Sequence, residues 1–220
     1  VVQPETMRDG PETLDAYFPV SRETRDRLVI YVDLVRRWQK AQNLVSPSTL
    51  PHIWLRHVAD SMQIHQLAPD IRLWIDFGAG AGFPGLVTAI LLADEPSAMV
   101  HLVESNQRKA AFLRAVIRET DAAACIHADR IESVTDHWDE AKDGVIEGVS
   151  ARALADLEAL CGFARPFVAR GARGFFHKGR DSRSEIVKAS HTWNLDLVEH
   201  RSLIDPQSAI LEIHRIDPFV

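Results

Sequence analysis

Ten consecutive residues carry the strongest chemical signal in the chain: Asp76-Phe77-Gly78-Ala79-Gly80-Ala81-Gly82-Phe83-Pro84-Gly85. They follow a short apolar run and open a helical pattern. Glycines at such a junction let backbone approach a ligand closely. The next apolar run ends in Glu104, an acid suited to accept hydrogen bonds from a ribose diol. Gly80-x-Gly82-x-x-Gly85 also fits a dinucleotide fingerprint. Asp76 separates the two cofactors. A carboxylate at the strand tip repels a pyrophosphate and welcomes the ammonium end of S-adenosylmethionine, directly or through water. S-adenosylmethionine is therefore the favoured cofactor, with NAD the rival. The expected contacts are Asp76, Gly78, Gly80, Gly82, Phe83 and Glu104.

Further along, Asp129-Arg130-Ile131-Glu132 closes a third strand. Ile131 is placed to pack on an adenine ring, and backbone groups or an acid such as Glu132 to read its amino group. Ser150-Ala151-Arg152-Ala153-Leu154 follows a fourth strand, where the reacting atom is expected. No Asn-Pro-Pro-Tyr-like element is present to hold an exocyclic amine. Neither Cys125 nor Cys161 follows a proline turn as a nucleophile for carbon methylation would. An acceptor that is already nucleophilic remains, and guanine N7 qualifies because its in-plane lone pair needs no general base. Arg152 and Lys178, at the tips of strands four and five, are the expected catalytic pair, gripping guanine O6 or phosphate.

Arg56-His57-Val58-Ala59-Asp60-Ser61 is the second polar cluster. On one helix His57 faces Asp60 and Ser61. Three groups on one helix build no oxyanion hole, and the chain has no G-x-S-x-G. The cluster reads either as a buried tie or as a substrate-facing edge, with Arg56 and His57 on the substrate side beside Lys178 and Arg180. The remaining histidines show no ligand spacing, so no metal site is expected.

These groups need a frame. Ser21 caps a helix whose apolar stripe is Leu28, Val32, Val35 and Trp38, and a second helix is expected over about 52–67. Strands are expected at 71–77, 98–104, 124–129, 144–151 and 172–178. They alternate with helices at 84–93, 106–120, 154–168 and 181–190. The runs 191–202 and 209–216 read as an antiparallel pair. The expected fold is α/β and Rossmann-like: a mostly parallel sheet with a C-terminal hairpin (68–220), preceded by a helical extension (1–67) whose first 20 residues form a loose lead-in.

The chain has 220 residues and a net charge of −6, which argues against indiscriminate polyanion binding. Residues 121–158 are acidic. Residues 165–188 are basic, and with Arg36, Arg37 and Lys40 they suggest a phosphate-facing side. No apolar run approaches a membrane span and no signal peptide is visible. A cytoplasmic protein with two reduced thiols is expected.

The chain resembles the bacterial small-subunit ribosomal RNA guanine-N7 methyltransferase family, historically called glucose-inhibited division protein B. The matching segments are Asn43-Leu44-Val45-Ser46, Arg56 to Ser61, Asp76 to Gly85, Lys109-Ala110-Ala111-Phe112-Leu113-Arg114, Ser150-Ala151-Arg152-Ala153 and Lys178-Gly179. They occur in family order over about residues 21–190. The resemblance implies a class I S-adenosylmethionine-dependent fold and methylation of one guanine N7 in the decoding-region loop of 16S rRNA. It implies cofactor contacts at Gly78, Phe83, Ile131, Glu132 and Arg152. The implied partner is 16S rRNA or the small ribosomal subunit, with a monomer sufficient and no obligate protein partner evident. Gln39 stands where the family usually has asparagine after the tryptophan, the segment before Arg56 departs as His-Ile-Trp-Leu, and the C-terminal hairpin is not a distinctive match. A small-molecule or protein methyltransferase on the same fold, an NAD-dependent oxidoreductase and a non-catalytic RNA-binding module are the alternatives.

Overall fold

The glycine loop leaves an interior strand of a seven-stranded sheet. A computed structural model describes residues 9–219. The first eight residues of the expected lead-in and helical extension lie outside the described residues. Within the rest of the lead-in a short helix forms, α1 (Thr13–Tyr17). α2 (Arg22–Trp38) starts where the Ser21 hydroxyl accepts the Thr24 N–H at 3.1 Å, and it buries Leu28, Val32 and Val35.

The helix expected over 52–67 is three pieces: a 3-10 turn (Leu50–His52), a π turn (Trp54–Ala59) and α3 (Asp60–Leu67). The Asp9 carboxylate accepts the Trp54 and Leu55 N–H groups, both at 3.0 Å, and so caps the π turn. A π turn widens the helix locally, and such turns recur at functional sites. This one carries Arg56 and His57.

The strands are β1 (Leu73–Phe77), β2 (Met99–Val103), β3 (Ala124–His127), β4 (Gly148–Arg152), β5 (Arg173–Lys178), β6 (Trp193–Arg201) and β7 (Ala209–Pro218), in spatial order 3-2-1-4-5-7-6. β1 to β5 are parallel, and β7 runs antiparallel to both β5 and β6. The chain winds one way from β1 to β3 and the other way from β4, so β1 and β4 flank the topological switch point. Open parallel sheets bind ligands there, at the carboxyl ends of the strands.

The connecting helices are α4 (Gly85–Leu91), α5 (Gln107–Thr120), α6 (Ile131–Asp136), α7 (Glu140–Asp143), α8 (Leu157–Val168) and α9 (Ser182–Ala189). The strand expected at 144–151 is confined to β4. The helix expected from 154 starts at Leu157, because Asp156 caps it by accepting the Ala159 N–H. α6 and α7 are additions to the expected set; they are short, and no residue of either is buried. One buried cluster joins Leu28, Tyr31 and Val32 of α2 to Trp74, Val100 and Leu102 of the sheet. A second fills the other face, from Ile75 and Phe77 to Leu160 and Phe167. Among the described residues no helix is long and apolar enough to cross a membrane.

Candidate active site

Asp76 sits beneath the glycine loop. It is 1% exposed. One carboxylate oxygen accepts the Gly85 N–H at 3.2 Å and the other accepts the Ser150 hydroxyl at 2.6 Å. Burial pushes its pKa up to about 7 against these two hydrogen bonds and the nearby Arg152 charge. Asp76 does not line the cavity; in the structure its two oxygens tie the start of α4 to β4.

Glu104 holds the loop from the other side. Its carboxylate accepts the Gly80 N–H at 2.9 Å and the Asn106 N–H at 2.7 Å, and 8% of the residue is exposed. The acid stands beside Gly80, at the tip of β2, as expected. Both of its oxygens hold backbone.

Two of the glycines do different work. Gly82 has φ +94, and a Cβ there would collide with the Leu86 side chain, so it serves the turn and does not line the cavity. Gly80 has φ +57, yet a Cβ there would meet only the Gly78 carbonyl, at 3.6 Å. Its outer side is open. That opening is the floor of a cavity of about 440 Å³, within the usual range of small-molecule sites. The walls include Gly78, Phe83, Arg56, His57, Lys109 and Arg152.

Arg152, the last residue of β4, organises the far wall. One terminal nitrogen lies 2.8 Å from His57 Nδ1. The other donates to Asp60 Oδ2 at 3.3 Å and more weakly to the Arg56 carbonyl at 3.5 Å. The guanidinium lies 5.2 Å from the Phe83 ring centroid, and the His57 ring lies 4.9 Å from the same centroid. Burial first, then the charges of Arg152 and Arg56, push the His57 pKa down to about 3. His57 is therefore neutral, and a guanidinium has only donors. Its Nδ1 must accept from Arg152, which leaves the proton on Nε2 to be donated to Thr49 Oγ1, 2.8 Å away. Ala153 follows with φ +53, a backbone conformation rare for alanine and held here beside the cavity.

Lys178 stands apart from this network. It is 7% exposed, and its ammonium donates to the Ala155 carbonyl at 2.8 Å and to Glu185 at 2.7 Å. The same Glu185 oxygen accepts the Leu157 N–H. Lys178 thus clamps the loop after β4 onto α9, and it does not line the cavity where it was expected to meet substrate. Arg180 lines a second cavity with Arg183 and Arg201, near the 202–208 loop. Arg56 reaches that loop through an ion pair with Asp205 at 2.8 Å.

Ile131 and Glu132 begin α6 and are not part of the cavity wall; Ile131 packs against the second core cluster. The basic stretch 165–188 does not form one face. Arg173 begins β5 and Lys178 ends it, so the charges before and after the strand lie at opposite ends of the sheet. Arg170, Arg173, Lys178 and Lys188 are each paired with acids.

Sequence reasoning underused three residues. Asp60 binds Arg152 and joins Gln63 and Ser202, tying the π turn to the hairpin. The buried Tyr31 hydroxyl donates to the Ala81 carbonyl at 2.7 Å, so α2 braces the glycine loop. Gln39 accepts the Leu44 and Val45 N–H groups and donates to the Val45 carbonyl, which folds one rim of the cavity. An amide at that position was the signal available.

The GidB family, described as rRNA small subunit methyltransferase G, matches residues 24–210. A Ribosomal RNA small subunit methyltransferase G from Rhizobium johnstonii is 49% identical over 199 residues, covering 90% of this chain and 95% of its own length. One from Bradyrhizobium sp. is 46% identical, covering 92% and 89%. In three dimensions the chain is similar to the O-methyltransferase TomG of Streptomyces achromogenes, in complex with SAM. The TM-score is 0.62 at 11% identity, over 98% of this chain and all of that one, a likeness of fold. With the segments Arg56 to Ser61, Asp76 to Gly85 and Ser150 to Ala153 gathered around one cavity, and with identity near one half along almost the whole chain, this protein belongs to the GidB family of rRNA small subunit methyltransferases G.

Proposed function

We propose that this chain transfers the methyl group of S-adenosylmethionine to N7 of a guanine in the decoding-region loop of 16S rRNA. Family membership supplies the reaction class. The observation that carries the reading is the cavity in which the open floor at Gly80 faces the Arg152, His57 and Phe83 wall across the switch point.

Bound S-adenosylmethionine supplies an electrophilic methyl on a sulfonium. The chain's own groups fit its binding. Gly78 and Gly80 leave backbone exposed to the cavity, and Phe83 offers an aromatic wall. Guanine N7 needs no base, so the task left to the protein is alignment and a matched field. Arg152 engages three of its five N–H donors with Asp60, His57 and the Arg56 carbonyl. The remaining two are free to donate to guanine O6 or to a cofactor carboxylate. Asp60 offsets the guanidinium charge, which eases the appearance of positive charge on the purine. Neutral His57 fixes the plane of the guanidinium without adding a second cation.

RNA would be gripped near the cavity by Arg56 and Lys109, and along the neighbouring edge by Arg180, Arg183 and Arg201. The target guanine would have to leave its stack to enter. The setting is cytoplasmic, where the rRNA is.

Labelled S-adenosylmethionine incubated with unmethylated 30S subunits, and separately with deproteinised 16S RNA, tests the reading. Labelled 7-methylguanine at a single site is the expected product. Absence of transfer to either substrate, with cofactor binding intact, would overturn the RNA assignment and favour a small-molecule acceptor.

A further inference from the structure

Three potential ligand atoms converge on the sheet face turned away from α2. Val100 and Leu102 of β2 pack in the first core cluster, so His101 between them points to the other face, where Trp138 lies 4.8 Å from its ring. His101 and Cys125 are register partners on β2 and β3, and His127 follows two residues later on the same face. His101 Nδ1 is 2.9 Å from His127 Nε2 and 3.2 Å from Cys125 Sγ, and Cys125 Sγ is 3.9 Å from His127 Nε2.

We propose that His101, Cys125 and His127 bind a zinc-class divalent ion through Nδ1, Sγ and Nε2, with water in the fourth position.

Tetrahedral zinc with nitrogen ligands near 2.05 Å and sulfur near 2.3 Å separates two nitrogens by about 3.3 Å and nitrogen from sulfur by about 3.6 Å. The three observed separations need to change by only a few tenths of an ångström to form one face of that tetrahedron. As hydrogen-bonding partners the atoms are overcrowded. A neutral His101 Nδ1 has one lone pair or one proton, yet it lies within bonding distance of two neighbours. An ion uses all three lone pairs at once. Metal binding requires neutral imidazoles and a thiolate, and burial, which pushes the Cys125 thiol up to about 11, makes the ion itself the agent that must displace the thiol proton. On binding, the Cys125 S–H bond breaks, its proton goes to solvent, and the thiolate bonds the ion.

An entry path exists. A cavity of about 430 Å³, lined by His127, Trp138, Lys142 and Asp143, opens beside the triad. The soft sulfur and the two imidazoles select against magnesium and calcium, which require oxygen ligands. The bound ion would cross-link β2 to β3 next to Glu104, whose N–H donates to the His127 carbonyl.

The full chain, free of affinity tags and stripped with a chelator, is titrated with Co²⁺ and then Zn²⁺. One Co²⁺ per chain is expected, with a thiolate-to-cobalt charge-transfer band and tetrahedral visible absorption, both abolished by one equivalent of Zn²⁺. Zn²⁺ should raise Tm and Mg²⁺ should not. Cys125→Ser should abolish the charge-transfer band. His127→Gln, at a half-buried position, should weaken Co²⁺ binding at least tenfold and covers the case in which the serine variant does not fold. No charge-transfer band in the wild type overturns the proposal, as does an unchanged band in Cys125→Ser or unchanged Co²⁺ affinity in His127→Gln.

Discussion

Arg152 and His57 lie 95 positions apart and meet at 2.8 Å, guanidinium nitrogen to imidazole Nδ1. The contact joins the end of β4 to the π turn, and with it the sheet to the N-terminal helices. It also fixes a tautomer, since His57 must accept from Arg152 and donate to Thr49. Arg152 is thus held on one side by a charge, Asp60, and on the other by a neutral acceptor.

Arg152→Ala should lower methyl transfer to 30S subunits by about 10²–10³-fold, the usual cost of removing one preorganised donor from a transition state. Arg152→Lys should recover little of it, because an ammonium cannot reproduce the fork that spans Asp60 and His57. Single-turnover rates on folded protein, checked by circular dichroism, read the effect. A rate within threefold of wild type would remove Arg152 from the reaction.

Asp76 should make stability fall as pH rises. Its folded pKa, about 7, lies above the ordinary value of 3.8. Between those values the folded state holds a proton that the unfolded chain has released. Unfolding free energy from this group therefore declines from about pH 4 to about pH 7 and is level beyond. Asp76→Asn cannot titrate and should lose this slope. Urea unfolding of both proteins at pH 5.0 and 7.5 gives the comparison, since the histidines titrate in common. Parallel pH dependences would show that the carboxylate ionises freely in the folded protein.

The sequence reading located Asp76, the glycines and Glu104 at strand tips, and the register of β1 and β2 puts them there. The direction in which Asp76 points was not legible. That depends on Ser150, 74 positions away, offering a hydroxyl at 2.6 Å. Lys178 was opaque for the same reason: a lysine at a strand tip reads as a substrate-facing cation until Glu185 and the Ala155 carbonyl are seen around it. The basic run 165–188 was a property of the chain order, and β5 divides it between two ends of the sheet. The strand alternation was plain because apolar runs recur between amphipathic helices. The π turn was hidden, since its stabilising partner is Asp9, far upstream.

Lys178 should behave as a positioning residue. Lys178→Ala leaves Glu185 without its cation, and breaking a largely buried pair costs about 3–5 kcal/mol. Glu185→Gln should reproduce most of the loss. A double-mutant cycle on unfolding free energy should show strong coupling, while single-turnover rates per folded molecule fall by similar factors in both single variants. A large rate loss in Lys178→Ala with normal activity in Glu185→Gln would instead place the ammonium on the substrate.

Gly80→Ala and Gly82→Ala should separate binding from folding. Both residues have positive φ, so both substitutions carry backbone strain of about 1 kcal/mol. Beyond that strain they differ. At Gly82 the new methyl meets Leu86 inside the loop, so the variant should lose several degrees in Tm. At Gly80 the methyl projects into the cavity and meets only the Gly78 carbonyl, at 3.6 Å. Gly80→Ala should therefore keep most of its Tm and lose cofactor affinity by at least tenfold, read by calorimetric titration with S-adenosylmethionine. Unchanged affinity in Gly80→Ala would mean that the cofactor does not rest on this floor, and the binding site would have to be sought nearer the tips of β2 and β3.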